Sequence, residues 1–396
     1  MAEREIYLDH AATTPVDQQV IAAMLPYLSE SFGNPSSIHR MGRAALDALD
    51  QSREVVADVL GVHYKEIVFT GGGSEADNLA IKGVALAQRQ AGKGAHLITS
   101  AIEHHAVLHT FEYLEAEGFE VTVLPVDDDG LVDPAALQAA IRSDTVLASI
   151  MYANNEIGVV QPLAELGAIC RERGVPFHSD AVQAPGALPM RVDALNVDLL
   201  TITAHKFYGP KGVGALYVRR GTPLLPLING GGQERRRRAG TENVAGVVGL
   251  ATALRLVEER REAQVAHCAV LRDRLVAGVL ERIPHSALNG HPSQRLPNNA
   301  NIAFDYVEGE SVLLLLDQHG VYASSGSACT SGSLEASHVL RALGLPEERA
   351  IGSVRFTVGK GTTVEDIDYV LDILPGLIDR LRSVSPAYRD LLQATV

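Results

Sequence analysis

The chain is 396 residues long, enough to bury a large core and to hold two domains or one large and one smaller. A formal net charge of -14 disfavours nucleic acid and membrane surfaces as partners and leaves small molecules and other proteins. Three cysteines at unrelated spacings suit a reducing compartment, and no basic segment followed by an apolar core opens the chain, so the expected location is cytoplasmic.

In chain order, the first clear element is a strand at 67–69. It runs into Thr70-Gly71-Gly72-Gly73-Ser74 and then an apolar-periodic segment at 79–87. A glycine-rich turn opening a helix leaves backbone N–H groups free for a phosphate. No Gly-Lys-Ser/Thr follows, so it is not a P-loop, and a tight strand-to-helix connection would look the same. Further short β-rich segments at 96–100, 121–126, 145–151, 176–179, 199–204 and 214–218 alternate with helical ones such as 163–173. That alternation predicts an α/β fold with a mostly parallel sheet covered by helices. A long helical region, 243–282, leads to a second unit; its most apolar part, 244–257, contains Arg255 and is too short to span a bilayer. Strands at 301–306, 321–324 and 353–358 and helices at 310–319, 337–343 and 364–382 make that unit an α+β cap, with 284–299 its loosest stretch.

Lys206 follows the apolar strand at 199–204 and precedes the strand-breaking Gly209-Pro210, so it sits just past a strand end, where α/β sheets bind ligands. A desolvated lysine there can condense with an aldehyde cofactor. Among the six lysines, Lys211 is the close rival. Pyridoxal phosphate also needs a buried carboxylate for its pyridine nitrogen, and the strand at 176–179 leads directly into Asp180. Gln183, three residues on, is placed to reach the ring's phenolic oxygen. Far downstream, Cys329 sits in Ser324-Ser325-Gly326-Ser327-Ala328-Cys329-Thr330-Ser331-Gly332, flanks too polar for a core position. Cys170 and Cys268 fall in helical segments and read as packing residues.

These residues, with Tyr7-Leu8-Asp9-His10-Ala11-Ala12-Thr13-Thr14, Phe32-Gly33-Asn34-Pro35-Ser36-Ser37, Glu103-His104-His105, Asn154-Asn155-Glu156 and Arg238-Ala239-Gly240-Thr241-Glu242-Asn243, resemble the cysteine desulfurases. These are fold-type I pyridoxal phosphate enzymes of the class V aminotransferase superfamily. The match runs nearly end to end, and the Cys329 loop is similar to that of the subgroup with the longer cysteine loop. The resemblance implies a large domain at 16–258 with a mostly parallel seven-stranded sheet flanked by helices. A smaller α+β domain, 1–15 with 259–396, would carry the catalytic loop at about 324–336.

The same resemblance implies roles. Lys206 bonds the cofactor, Asp180 pairs with the pyridinium and Gln183 binds the phenolic oxygen. His104 stacks on the ring and serves as acid or base, and Asn155 contacts the ring. Gly73, Ser74, Thr203 and His205 hold the phosphate, with Thr241 reaching over from a second subunit of a homodimer. Asn34 and Arg355 hold the substrate carboxylate, a task that suits the arginine fork. Cys329 takes sulfur from L-cysteine as a persulfide, leaving alanine, and passes it to an acceptor protein such as an iron–sulfur scaffold. Other readings stay open: a different pyridoxal phosphate activity on the same fold, a metal or cluster scaffold, and a metal site from His104, His105 and His109. The run Arg235 to Arg238 reads as a solvated loop whose last member reaches a carboxylate or phosphate across a subunit interface.

Overall fold

The computed structural model describes residues 5–325 and 336–394, so Cys329 lies outside the described residues. Strand β1 (Ile6–Tyr7) belongs to a small sheet; the central sheet is built from β2 (Ile67–Thr70), β3 (His96–Ser100), β4 (Glu120–Leu124), β5 (Thr145–Ser149), β6 (Phe177–Asp180), β7 (Leu199–Thr203) and β8 (Gly214–Val218). Its spatial order is β2-β8-β7-β6-β5-β3-β4. Only β8 runs against the others, pairing antiparallel with both β2 and β7. Strands β3, β5, β7 and β8 are buried along their whole length because helices cover both faces, so even their polar members, such as His96, Thr99 and Thr201, are buried. Leu200 and Ile202 of β7 join one core, with the helices Arg40–Leu60 and Val244–Glu259. Leu199 joins the core on the other side, with Gly73–Gln90 and His105–Ala116.

A second body is built on β9 (Ser286–Leu288), β10 (Asn299–Phe304) and β12 (Ser353–Thr357), with β11 (Val321–Tyr322) pairing parallel to β1. The first residues of the chain thereby join its last third: Asp9 bridges to Thr357, and Leu8 packs in the same core as Phe356 and Leu374. Its closing helix, Val364–Val384, starts with a capping box in which Thr363 and Asp366 satisfy each other's backbone N–H groups.

Two of these readings gain detail and one is corrected. The helical region 243–282 is two helices, Val244–Glu259 and Arg261–Arg282, because Arg260 leaves helical geometry at φ -105°, ψ 2°. The stretch 284–299 is not loose. It contains β9, and the buried Arg295 guanidinium donates to the carbonyls of Ile157, Asn289, His291 and Asn299. Arg238 pairs within its own chain, donating to Glu75 at 2.8 Å. Among the described residues, no helix is long and apolar enough to cross a membrane.

Candidate active site

The carboxyl ends of β2, β3, β6 and β7 open on one cavity of about 310 Å3. Its lining includes Gly73, Ser74, His104, Asn155, Asp180, Gln183, Thr203, His205, Lys206 and Arg355. Ten expected site residues are therefore brought together from six separate stretches of chain. Asn34 and Thr241 are not: both are exposed and lie outside this lining, and Asn34 Oδ1 accepts the Ser36 N–H at 2.9 Å.

Lys206 ends a short 3-10 turn directly after β7. Its Nζ donates to the carbonyl oxygens of Ala11 at 2.6 Å and Ala12 at 2.8 Å, and Gln183 Nε2 donates to the same Ala11 oxygen at 3.0 Å. The N-terminal segment thus holds the amine over the sheet. Lys211 is exposed and lines a different cleft. Asp180 is buried at the end of β6, where its carboxylate accepts the Val182 N–H at 2.9 Å. Burial pushes its pKa up, and the Lys206 charge pulls it back down.

Helix Gly73–Gln90 begins at this cavity with no side chain capping it, so its first N–H groups remain available to an anion. A Cβ on Gly214 would come within 2.8 Å of the Gly72 carbonyl carbon, so β8 and the turn meet backbone to backbone. An anion-accepting helix end, a buried carboxylate and a lysine around one cavity fit the phosphate, pyridinium and aldehyde of pyridoxal phosphate.

Arg355, in the middle of β12, is 2% exposed at its side chain. It donates to the Asn155 carbonyl at 2.8 Å and to Asp9 at 2.7 Å, which aim its guanidinium from opposite sides of the chain. Its backbone pairs with Ser324, the last residue but one before the undescribed segment. On the far side of that segment Ser337 Oγ donates to the Glu156 carboxylate at 2.5 Å, and the His338 ring lies 2.9 Å from the Glu103 carbonyl. Val339 and Leu340 pack with Ile102, Met151 and Ile157. The segment carrying Cys329 therefore enters and leaves beside the cavity.

His104 caps helix His105–Ala116, its Nδ1 accepting the Ala106 N–H at 3.1 Å. Burial and Lys206 hold its pKa down at about 4; burial does the same for His205, to about 4, and for His178, to about 3. These rings are neutral at pH 7. Because the folded values lie below the ordinary 6.5, the unfolded chain takes up protons that the fold refuses. Their contribution is complete above pH 6.5 and is lost as the pH falls toward 4. Glu103, pushed up to about 8 by burial, works in the opposite sense between pH 8 and 4.5, so thermal melting would mix the two. Imidazole nitrogen shifts separate them: these three histidines should show no titration down to about pH 5. A mid-point near 6.5 for His104 would contradict its buried, neutral placement.

Further groups lie at the site, and one of them, Asp77, was not singled out from sequence. Asp77 lines the cavity and is fully buried; its Oδ1 has no hydrogen-bond donor and lies 3.7 Å from His178 Nε2. Its place four residues after Gly73, on the same helix face, is the signal that would have found it. His105 and His338 also line the cavity, with ring centroids 4.7 Å apart. Among the described residues, no group of three His, Cys, Asp or Glu side chains is arranged to hold a metal ion.

The aminotransferase class-V family pattern covers residues 6–370. The chain belongs to the class V aminotransferase family. Among its curated relatives is the cysteine desulfurase IscS of Methanosarcina thermophila, 55% identical over 97% of this chain and 94% of the relative. That of Dictyoglomus turgidum is 54% identical over 97% of both. Among solved structures, a NifS-like protein superposes with a TM-score of 0.89 at 38% identity, covering 96% of this chain and 100% of the other. The apo cysteine desulfurase of Thermococcus onnurineus NA1 gives 0.84 at 26% identity over 95% of each chain.

Proposed function

We infer that this chain is a pyridoxal phosphate-dependent cysteine desulfurase. The observation that carries it is the convergence of Lys206, Asp180, the uncapped Gly73 helix end and Arg355 on one cavity, in a chain of this family. Asp180, Gln183, His104 and Asn155 would hold the pyridine ring, and Gly73, Ser74, Thr203 and His205 the phosphate. When bound, the cofactor supplies an electron sink that acidifies the substrate's α-carbon and loosens its carbon–sulfur bond. Lys206 Nζ takes and returns the α-proton. His104, neutral at pH 7 with its Nδ1 accepting the Ala106 N–H, carries its proton on Nε2 and can donate it there. Arg355, fixed by Asp9 and Asn155, grips the carboxylate of L-cysteine in a fork. Of the two residues expected at that carboxylate, Arg355 is the one the cavity geometry supports.

The Cys329 thiolate attacks the substrate sulfur. The S–S bond forms as C–S breaks, the carbon keeps the electron pair and takes a proton, and alanine leaves while Cys329 holds a persulfide. The terminal sulfur then passes to a thiol of an acceptor protein, such as the scaffold on which iron–sulfur clusters are assembled, in the reducing cytoplasm.

A homodimer completes this reading, with Thr241 of each copy reaching the other's phosphate. Ile21, Leu25 and Leu28 support it: they share one face of helix Gln18–Ser29 and stand exposed, as do Phe32 and Ile38 nearby. Given L-cysteine and a thiol reductant, the protein should release alanine and sulfide in equal amounts and scatter light as two copies. Alanine without sulfide, or a monomer that keeps cofactor and activity, would contradict the respective part.

A further inference from the structure

Residues 234–236 take φ values of 43°, 57° and 66° in succession. This is the left-handed region that side chains other than glycine rarely adopt, and three neighbours persist there only when surrounding structure over-determines them. Ties on both sides of the turn at 70–72 supply that constraint, including one from Arg235 Nη1 to the Ile67 carbonyl at 3.3 Å. Glu234, 5% exposed, accepts from Arg53 Nη1 at 2.7 Å, from Arg53 Nη2 at 2.8 Å and from the Phe69 backbone N–H at 3.0 Å. Arg53 also donates to the Ile67 carbonyl at 2.8 Å, and its guanidinium lies 4.6 Å from the Phe69 ring centroid. Beyond the left-handed residues, Arg238 pairs with Glu75, whose Oε2 accepts the Gly71 N–H at 2.8 Å. The strap is thus fastened to the strand just before the glycine turn and to the helix just after it. From there the chain passes Gly240, at φ 108° with its N–H on Gln233 Oε1, to the exposed Thr241.

We propose that the buried Glu234–Arg53 pair is a positioning device for the cofactor phosphate. It holds the left-handed strap against the turn, fixing the Gly73 helix end in its own chain and the projection of Thr241 toward a second copy. A buried ion pair kept for stability alone is replaceable by apolar side chains, often without loss. Here the pair enforces a disfavoured backbone on a segment fastened to the strand before the turn and to the helix after it. The inference rests on the reading that this turn binds the phosphate of pyridoxal phosphate.

The test compares two ligands that differ only in the phosphate. Dissociation constants of pyridoxal phosphate and of pyridoxal are measured on apo wild type, Glu234→Gln and the paired replacement Arg53→Met/Glu234→Met, with thermal melting of each apo protein. Both variants should bind pyridoxal phosphate at least about tenfold more weakly and pyridoxal with unchanged affinity. Equal weakening for both ligands would reduce the pair to a structural role, and wild-type affinity for pyridoxal phosphate would overturn the proposal outright. Should neither variant fold, Arg238→Gln, at the half-buried second tie, carries the same expectation, and unchanged pyridoxal phosphate affinity there overturns it. Wild type failing to distinguish the two ligands would instead sink the phosphate-site reading.

Discussion

Lys206→Ala should lower alanine production from L-cysteine by on the order of 10^4-fold or more, in a protein whose circular dichroism and melting are close to wild type. The size follows from what the amine does: it is the only lysine lining the cavity among the described residues. Lys360 is held by Asp17 and lies over the Tyr208 ring, and Lys211 is exposed in another cleft, so neither replaces it. The fold should survive because Lys206 Nζ bonds two backbone carbonyls, those of Ala11 and Ala12, and the cavity beside it lets water take the vacated place. The measurement is alanine formed per enzyme over time, with a cofactor-free ultraviolet–visible spectrum as the second readout. A variant that keeps even about a tenth of the turnover would move the base and the cofactor bond away from Lys206.

The architecture was legible from the sequence where short β-rich segments alternate with helical ones, as for β3, β5, β7 and β8. Strands β3 and β8 have the expected bounds, and other strand ends shifted by a residue or two, as with β4, expected at 121–126 and found at Glu120–Leu124. The local part of the site was legible for the same reason: Lys206 and Asp180 stand at strand ends, and Gly73 opens a helix. What was not legible depends on contacts between distant parts of the chain. Nothing local marks Ala11 and Ala12 as the acceptors of the Lys206 amine, 195 and 194 residues away. The stretch 284–299 is rich in turn formers and reads as loose; its order comes from Arg295, whose partners include the Ile157 carbonyl, 138 residues distant. Arg235 to Arg238 read as solvated because a run of four cations is usually that. Arg235 and Arg236 are indeed exposed; what the run hides is that Glu234 beside them buries its carboxylate on Arg53, 181 residues back.

Cys329→Ser should abolish sulfide and alanine formation together, by on the order of 10^4-fold or more, while leaving cofactor binding intact. The argument turns on the other two thiols. Cys170 is buried in helix Leu163–Arg173 and burial pushes its pKa up to about 12; Cys268, buried in Arg261–Arg282, is pushed up to about 11. Neither forms a useful fraction of thiolate at pH 7, and the thiolate is the species that attacks sulfur. Cys268 does border a space that Lys206 and Gln183 also line, yet that space is about 30 Å3, room for a water and not for cysteine. That leaves Cys329 as the proposed sulfur acceptor, on the stretch between Ser324 and Ser337, which are fastened to Arg355 and Glu156 at the cavity. Serine keeps the size and loses the nucleophile. Loss of both products in the variant, with L-cysteine still perturbing the cofactor's absorption, would place the block at sulfur transfer. Continued alanine formation would mean that sulfur leaves without a protein thiol. The chain would then be a lyase on the same scaffold, with Cys329 serving delivery alone.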